Sequence, residues 1–234
     1  MTEGQKRAQA RTLEALHLVE RHAGRPVGLE LKSRSRLHRL IGWVLARLGN
    51  PAYMEHVWTT VGHTVWRPRA VEAGPVFSEA EVLLHEGVHV LQARRLTAPG
   101  VAALYLLPQL LALPALALAL LVSPWWLLGL LCLAPLPALG RAWLEWEAYK
   151  VSVAVDAWLG PPPAWAHKAW IEGYVRKFTG PMYWFMWPFQ RHLEKHFSAY
   201  ANDLIQGNIQ LTPYLVGCRA LVQKWRREDN GGSP

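Results

Sequence analysis

From Leu96 to Gly140 this 234-residue chain contains no Asp, Glu, Lys or Arg, a gap too long for an ordinary surface loop. Cysteine is almost absent as well. Cys132 and Cys218 are the only two, and Cys132 lies inside the uncharged stretch, so no disulfide framework is expected. The first 24 residues lack an apolar run and scatter Lys6, Arg7, Arg11, Glu14, Glu20 and Arg21, which argues against a cleavable signal peptide. β-signals are scarce, and no internal repeat is visible. What the chain has in excess is positive charge, formally +8, and tryptophan, 13 residues. Beside a long apolar run, these point to an anionic membrane surface, because Trp favours the headgroup level. No nucleic-acid-binding motif accompanies the charge, and no nucleic acid partner is expected.

Helical spacing sets the coarse organisation. Residues 5 to 22 alternate charged and apolar groups, with Leu13, Leu16 and Leu18 too sparse for deep burial, and read as a surface helix. Residues 34 to 48 (RSRLHRLIGWVLARL) form a basic amphipathic helix that Gly49-Asn50-Pro51 stops. Such a helix suits a membrane interface or packing against the rest of the protein about equally. Residues 56 to 67 (HVWTTVGHTVWR), rich in Val, Thr and Trp, read as a short strand pair or a bent strand.

The uncharged region reads as a membrane hairpin. Residues 101 to 122, as one helix, would be about 33 Å long, enough for a hydrocarbon core of roughly 30 Å. A second, shorter run to Gly140 carries Pro135 and Pro137, so a full crossing and a re-entrant hairpin both remain open. Arg94, Arg95 and Arg141 flank it, which by the positive-inside rule places both ends in the cytoplasm. A hairpin buried inside a soluble protein is the bland alternative, with Pro108, Gln109 and Pro114 in its favour.

The chemistry is carried by His85-Glu86-Gly87-Val88-His89. On a helix, positions i and i+4 share a face, so two imidazoles can bind one Zn²⁺ while Glu86 reaches its water. Ser78 with Glu81 has capping-box spacing, and Phe77 with Val82 has staple spacing, so a helix is expected to start here. A catalytic zinc needs a third protein ligand. The downstream candidates lie in RAWLEWEAYKVSVAVDAW, where Glu145 precedes Ala148 by three positions.

These two segments resemble those of gluzincin metallopeptidases, in which a Glu-x-x-Ala helix supplies the third ligand. The group includes the membrane-embedded HtpX and CAAX-prenyl-protease enzymes, the ImmA/IrrE-like peptidases, and phage or injection-system peptidases whose first motif often continues to a Gln, as Gln92 does here. The resemblance covers residues 77 to 157. It implies that His85, His89 and Glu145 are zinc ligands and Glu86 the general base. Glu147 is the rival third ligand, but it lies about 200° around the helix from Glu145. Gln92, Tyr149 and Asp156 are candidates for support around the metal, with Tyr149 standing where Asp or Asn is usual.

A second pair, His192 and His196, also has helical spacing but lacks an apolar flank and reads as a solvated face. The aromatic run at 181 to 189 suits core packing or an interfacial belt. The expected architecture is mainly α. Basic amphipathic helices occupy residues 1 to 50. A zincin-like metallopeptidase domain with a short β-hairpin or bent strand fills 51 to 234, interrupted by an apolar membrane hairpin at about 100 to 140. The expected function is a membrane-associated zinc metallopeptidase acting on protein or peptide substrates from the cytoplasmic face, in contact with membrane lipid. The alternative is a non-enzymatic membrane, phage or envelope protein with a structural or degenerate zinc site.

Overall fold

The first helix shows how this chain builds its interior. In the computed structural model, which describes residues 2–47, 51–73, 79–134, 136–160, 167–180, 183 and 185–231, α1 spans Glu3–Ala23. It opens with a capping box, Thr2 Oγ1 accepting from Gln5 N and Gln5 Oε1 accepting from Thr2 N, and it closes where Gly24 adopts a left-handed φ of 69°. The surface helix expected over 5 to 22 is in fact a core element. Ala8, Ala15, Leu18, Val19 and Ala23 are buried, because alanines let α1 lie close against α4 (Glu79–Leu96) without needing a leucine stripe.

That closeness has a requirement on the other side. A Cβ on Gly87 of α4 would collide with the Tyr214 hydroxyl and lie 2.6 Å from Val19 Cγ2. Gly87 thus admits α1 and α10 (Pro213–Asp229) to the back of α4, and Tyr214 Oη donates to Leu84 O there at 2.8 Å. With Leu83, Leu84 and Val90 fully buried too, α4 is the central helix of the molecule. The proposed cap and staple residues Ser78 and Phe77 lie outside the described residues.

A small sheet covers one side of α4. β1 (Gly28–Leu31) runs parallel to β3 (Thr64–Arg67), and β2 (Thr59–Val61) pairs antiparallel with β3, in the order β1-β3-β2. The 56 to 67 segment is therefore a strand pair, turned at Gly62 with φ 62°. β1 adds a strand that the sequence did not announce. β2 is an edge. Between β1 and β2 lie α2 (Arg36–Arg47) and the single turn α3 (Ala52–Glu55). α2 packs through His38 and Gly42, with Ile41 and Leu45 half-buried, while Leu37, Leu40, Trp43 and Val44 face outward.

α7 (Leu139–Leu159) crosses α4 and belongs to two cores at once. Val151, Ala154 and Val155 join the core around α1, α4 and α10. Tyr149 and Val153 join a second core with Phe178 of α8 (His167–Thr179) and Phe197 of α9 (Gln190–Gln206). In the aromatic run, Met186 is fully buried while Phe185 and Phe189 are exposed. Pro181, Met182 and Trp184 lie outside the described residues. His192 and His196 sit on the exposed side of α9, their rings 4.3 Å apart.

The uncharged region departs from the straight span expected. α5 (Ala98–Leu106) breaks at Leu107-Pro108, and a short 3-10 turn leads into α6 (Ala112–Leu121), the two pieces being bent by 86°. Proline breaks the helix because it has no N–H to donate and its ring collides with the preceding turn. Residues Pro124–Leu133 return as a 3-10 segment against α6, where Gly129 faces Ala115. No single described helix is long and apolar enough to cross a membrane. Nor is the hairpin a buried core element. Leu120 and Leu121 are 81% and 84% exposed, and Leu113, Val122, Trp125 and Leu131 also face outward.

Candidate metal centre

One turn of α4 and one turn of α7 meet to form the site. His85 and His89 project from the same face of α4, and Glu145 faces them from α7, only 2% exposed. Glu145 Oε2 lies 3.6 Å from His85 Nε2 and 3.7 Å from His89 Nε2. These distances are too long for hydrogen bonds. Oε2 is buried and has no hydrogen-bond partner, an arrangement that is costly for a carboxylate unless a cation sits beside it. Tetrahedral zinc with bonds of about 2.0–2.2 Å holds its ligand atoms roughly 3.3–3.6 Å apart, within a few tenths of an ångström of the two distances from Glu145, and all three ligand atoms lie within 4.8 Å of one another. The buried group His85, His89 and Glu145 can hold a metal ion.

The far sides of the ligands are also fixed. Gln92 Nε2 donates to Leu144 O at 2.9 Å, which turns Gln92 Oε1 towards His89 Nδ1 at 2.8 Å. An amide oxygen only accepts, so Nδ1 carries a proton and Nε2 is the nitrogen open to a cation. His85 Nδ1 is 3.0 Å from Ser152 Oγ, and Tyr105 Oη donates to Glu145 Oε1 at 3.1 Å. Each prospective ligand therefore has a second contact that aims it at the common point.

Electrostatics favour positive charge at that point. Burial alone would lower the His89 imidazole, but Glu145, with Glu86 behind it, outweighs burial and raises His89 to about 9. Burial would raise Glu145. The two imidazoles outweigh it and hold the carboxyl well below the usual carboxylate range.

Glu86 is buried beside this group, and Thr60 Oγ1 of β2 donates to its Oε2 at 2.6 Å. The edge strand is thereby tied to the helix that carries both histidines. Glu147 points away. It pairs with Lys150 at 2.6 Å and is half exposed, as its rotation around α7 requires. Tyr149 packs edge-on against His85 at 4.5 Å and shares a hydrogen bond with the Tyr183 hydroxyl at 3.0 Å. Asp156 does not support the metal group: it accepts from Trp170 Nε1 and Tyr174 Oη, fastening α7 to α8 three turns away.

Ser152, Thr60, Tyr105 and Arg141 were not singled out from the sequence as site residues. Ser152 sits seven positions after Glu145, on the same face of α7, a spacing that could have revealed it. Arg141, expected as a flanking surface charge, is buried. Its guanidinium donates to Tyr105 O, Tyr183 O and Gln109 Oε1 at 2.9, 3.1 and 3.0 Å. Burying a guanidinium is tolerable here because each of its three nitrogens finds an oxygen acceptor. Arg141 therefore clamps the base of the apolar segment to the metal group and cannot be counted as a surface charge for topology.

No family model matches the chain, and no curated protein or solved structure resembles it closely enough to count as a match.

Proposed function

We propose that this protein is a zinc-dependent metallopeptidase of the gluzincin type, held at a membrane surface by its apolar segment. The observation that supports the reading most is the unpartnered, buried Glu145 Oε2 converging with two histidine Nε2 atoms beside a buried Glu86. His85, His89 and Glu145 would hold the ion. Zinc in a three-ligand site supplies a Lewis acid and brings the pKa of a bound water to about 7. Glu86 takes the proton from the attacking water and delivers it to the leaving amine. Thr60 occupies Glu86 Oε2, which orients the carboxylate and leaves Oε1 for that proton. The outer edge of β2 offers backbone groups to an extended peptide passing over Glu86. A structural zinc site would be closed by a fourth protein ligand, and none accompanies these three among the described residues.

The membrane part of the reading rests on the outward-facing leucines and tryptophans of 112 to 133. At about 1.5 Å per residue α6 reaches about 15 Å, roughly half a hydrocarbon core. A hairpin entering one leaflet fits this geometry better than a full crossing. Arg94 and Arg95 at the end of α4 favour the cytoplasmic side.

The test combines metal analysis with peptidase assays. Close to one zinc per chain is expected, lost in His85→Ala and His89→Ala and retained in Glu86→Gln, which should lose hydrolysis. Glu145→Ala should release zinc and Glu147→Ala should not. Metal-free wild-type protein purified without chelator, or a Glu86→Gln variant with full activity, would sink the proposal.

A further inference from the structure

We infer that α2 is a second membrane contact, lying flat on an anionic lipid surface. Its orientation is fixed from inside. Gly42 abuts Met54 so closely that a Cβ there would collide with Met54 Cγ, and His38 is buried with Nδ1 2.6 Å from the Tyr53 hydroxyl. The opposite face is consequently turned out. Leu37, Leu40 and Val44 are exposed, with Leu40 at 59%, and Trp43 is 56% exposed at the margin. Nothing among the described residues covers this face.

Charge selects the occupant. Between Leu31 and Met54 the chain has no Asp or Glu, while Arg36, Arg39 and Arg47 border the apolar strip. The Arg47 guanidinium stacks over the Trp43 ring at 4.3 Å. An apolar strip edged by arginine and tryptophan matches the boundary between acyl chains and phosphates, where the strip leaves water and the guanidiniums meet lipid phosphate. The inference shares with the proposal above only the presence of a membrane; it does not depend on the peptidase chemistry or on the hairpin.

The two attachments can be read separately in the full chain. In a Cys132→Ser background, with Cys218 buried, Leu40→Cys, Leu121→Cys or Glu30→Cys is labelled with an environment-sensitive fluorophore. The protein is mixed with vesicles of phosphatidylcholine alone or of equal parts phosphatidylcholine and phosphatidylglycerol. A label at position 40 should shift to the blue and become shielded from iodide on anionic vesicles, and lose that protection at high salt. A label at 121 should be shielded on both compositions, and one at 30 on neither. Replacing Arg36, Arg39 and Arg47 by Gln should weaken the anionic-vesicle component on the order of 100-fold, since each basic residue contributes about a tenfold or smaller factor. Position 40 remaining in water while 121 is shielded would overturn the inference and leave the hairpin intact. Shielding of 40 with 121 in water would support α2 and reject the hairpin. Shielding of 40 without lipid would mean that the face is covered by another copy of the chain, and would also overturn the inference.

Discussion

Replacing Tyr105 by Phe removes one oxygen atom, and that atom is the donor to Glu145 Oε1. The ring can stay where it is, under the Arg141 guanidinium at 4.9 Å, and Arg141 can keep its bond to the Tyr105 backbone carbonyl. The substitution therefore isolates the orientation of one prospective metal ligand from the packing of the apolar segment. Losing such a supporting hydrogen bond typically weakens metal binding 10- to 100-fold, about 1.4–2.7 kcal/mol. Competition for zinc against a chromophoric chelator reads that loss, and the melting temperature of the metal-free protein checks that the fold is unchanged. Zinc affinity within about twofold of wild type would show that Tyr105 does not position Glu145, well below the range such contacts give. A parallel fall in metal-free stability would show packing to be responsible. For the same reason, excising residues 101 to 140 would not leave an intact metal centre, although both ligand-bearing turns lie outside that stretch.

Two other perturbations address the frame of the site. Gly87→Ala gains up to about 1 kcal/mol of helix propensity but forces a methyl into Val19 and Tyr214, and overpacking of this kind costs about 1–3 kcal/mol. A lower melting temperature, partly restored by adding Val19→Ala, is expected; an unchanged or higher value would contradict the packing argument. Lys32 is fully buried, its ammonium donating to Tyr53 O and Val57 O, and burial lowers it to about 7 against the partial opposition of Glu86. Between about pH 7 and 10.5 the unfolded chain holds this proton and the folded chain does not, so wild type should gain stability relative to Lys32→Met as pH rises, by at most about 1.4 kcal/mol per unit. Denaturant unfolding at several pH values measures the difference, and a constant gap would refute the shift.

How much was legible depends on whether a feature is local. His85 and His89 stand four apart, so their shared face follows from helix geometry alone, and the rotation separating Glu145 from Glu147 follows in the same way. The strand pair at 56 to 67 was marked by β-branched residues around Gly62. α1 was misjudged because its burial is built from alanines, whose small size carries weak hydrophobic signal but permits close approach. The straight span over 101 to 122 failed at Pro108, where composition gave a length and the backbone could not follow it. Tyr105, Thr60 and Ser152 meet their partners across 40, 26 and 67 positions of sequence. No periodicity encodes such contacts. Arg141 looked like a flank because a buried, hydrogen-bonded arginine and a solvated one are identical in sequence.

The brevity of β2 bears on how a substrate would be captured. Three residues, Thr59–Val61, can offer an incoming peptide only two or three backbone hydrogen bonds. At about 0.5–1.5 kcal/mol each, these barely offset the cost of ordering an extended chain. Free peptides should then bind weakly and show a high KM. On the proposed reading, a protein tethered to a membrane shared with this chain would be a different competitor, because confinement raises its effective concentration at the strand to the millimolar range for a short flexible tether. Selectivity in such an enzyme would come less from reading sequence than from sharing a surface with what it cuts.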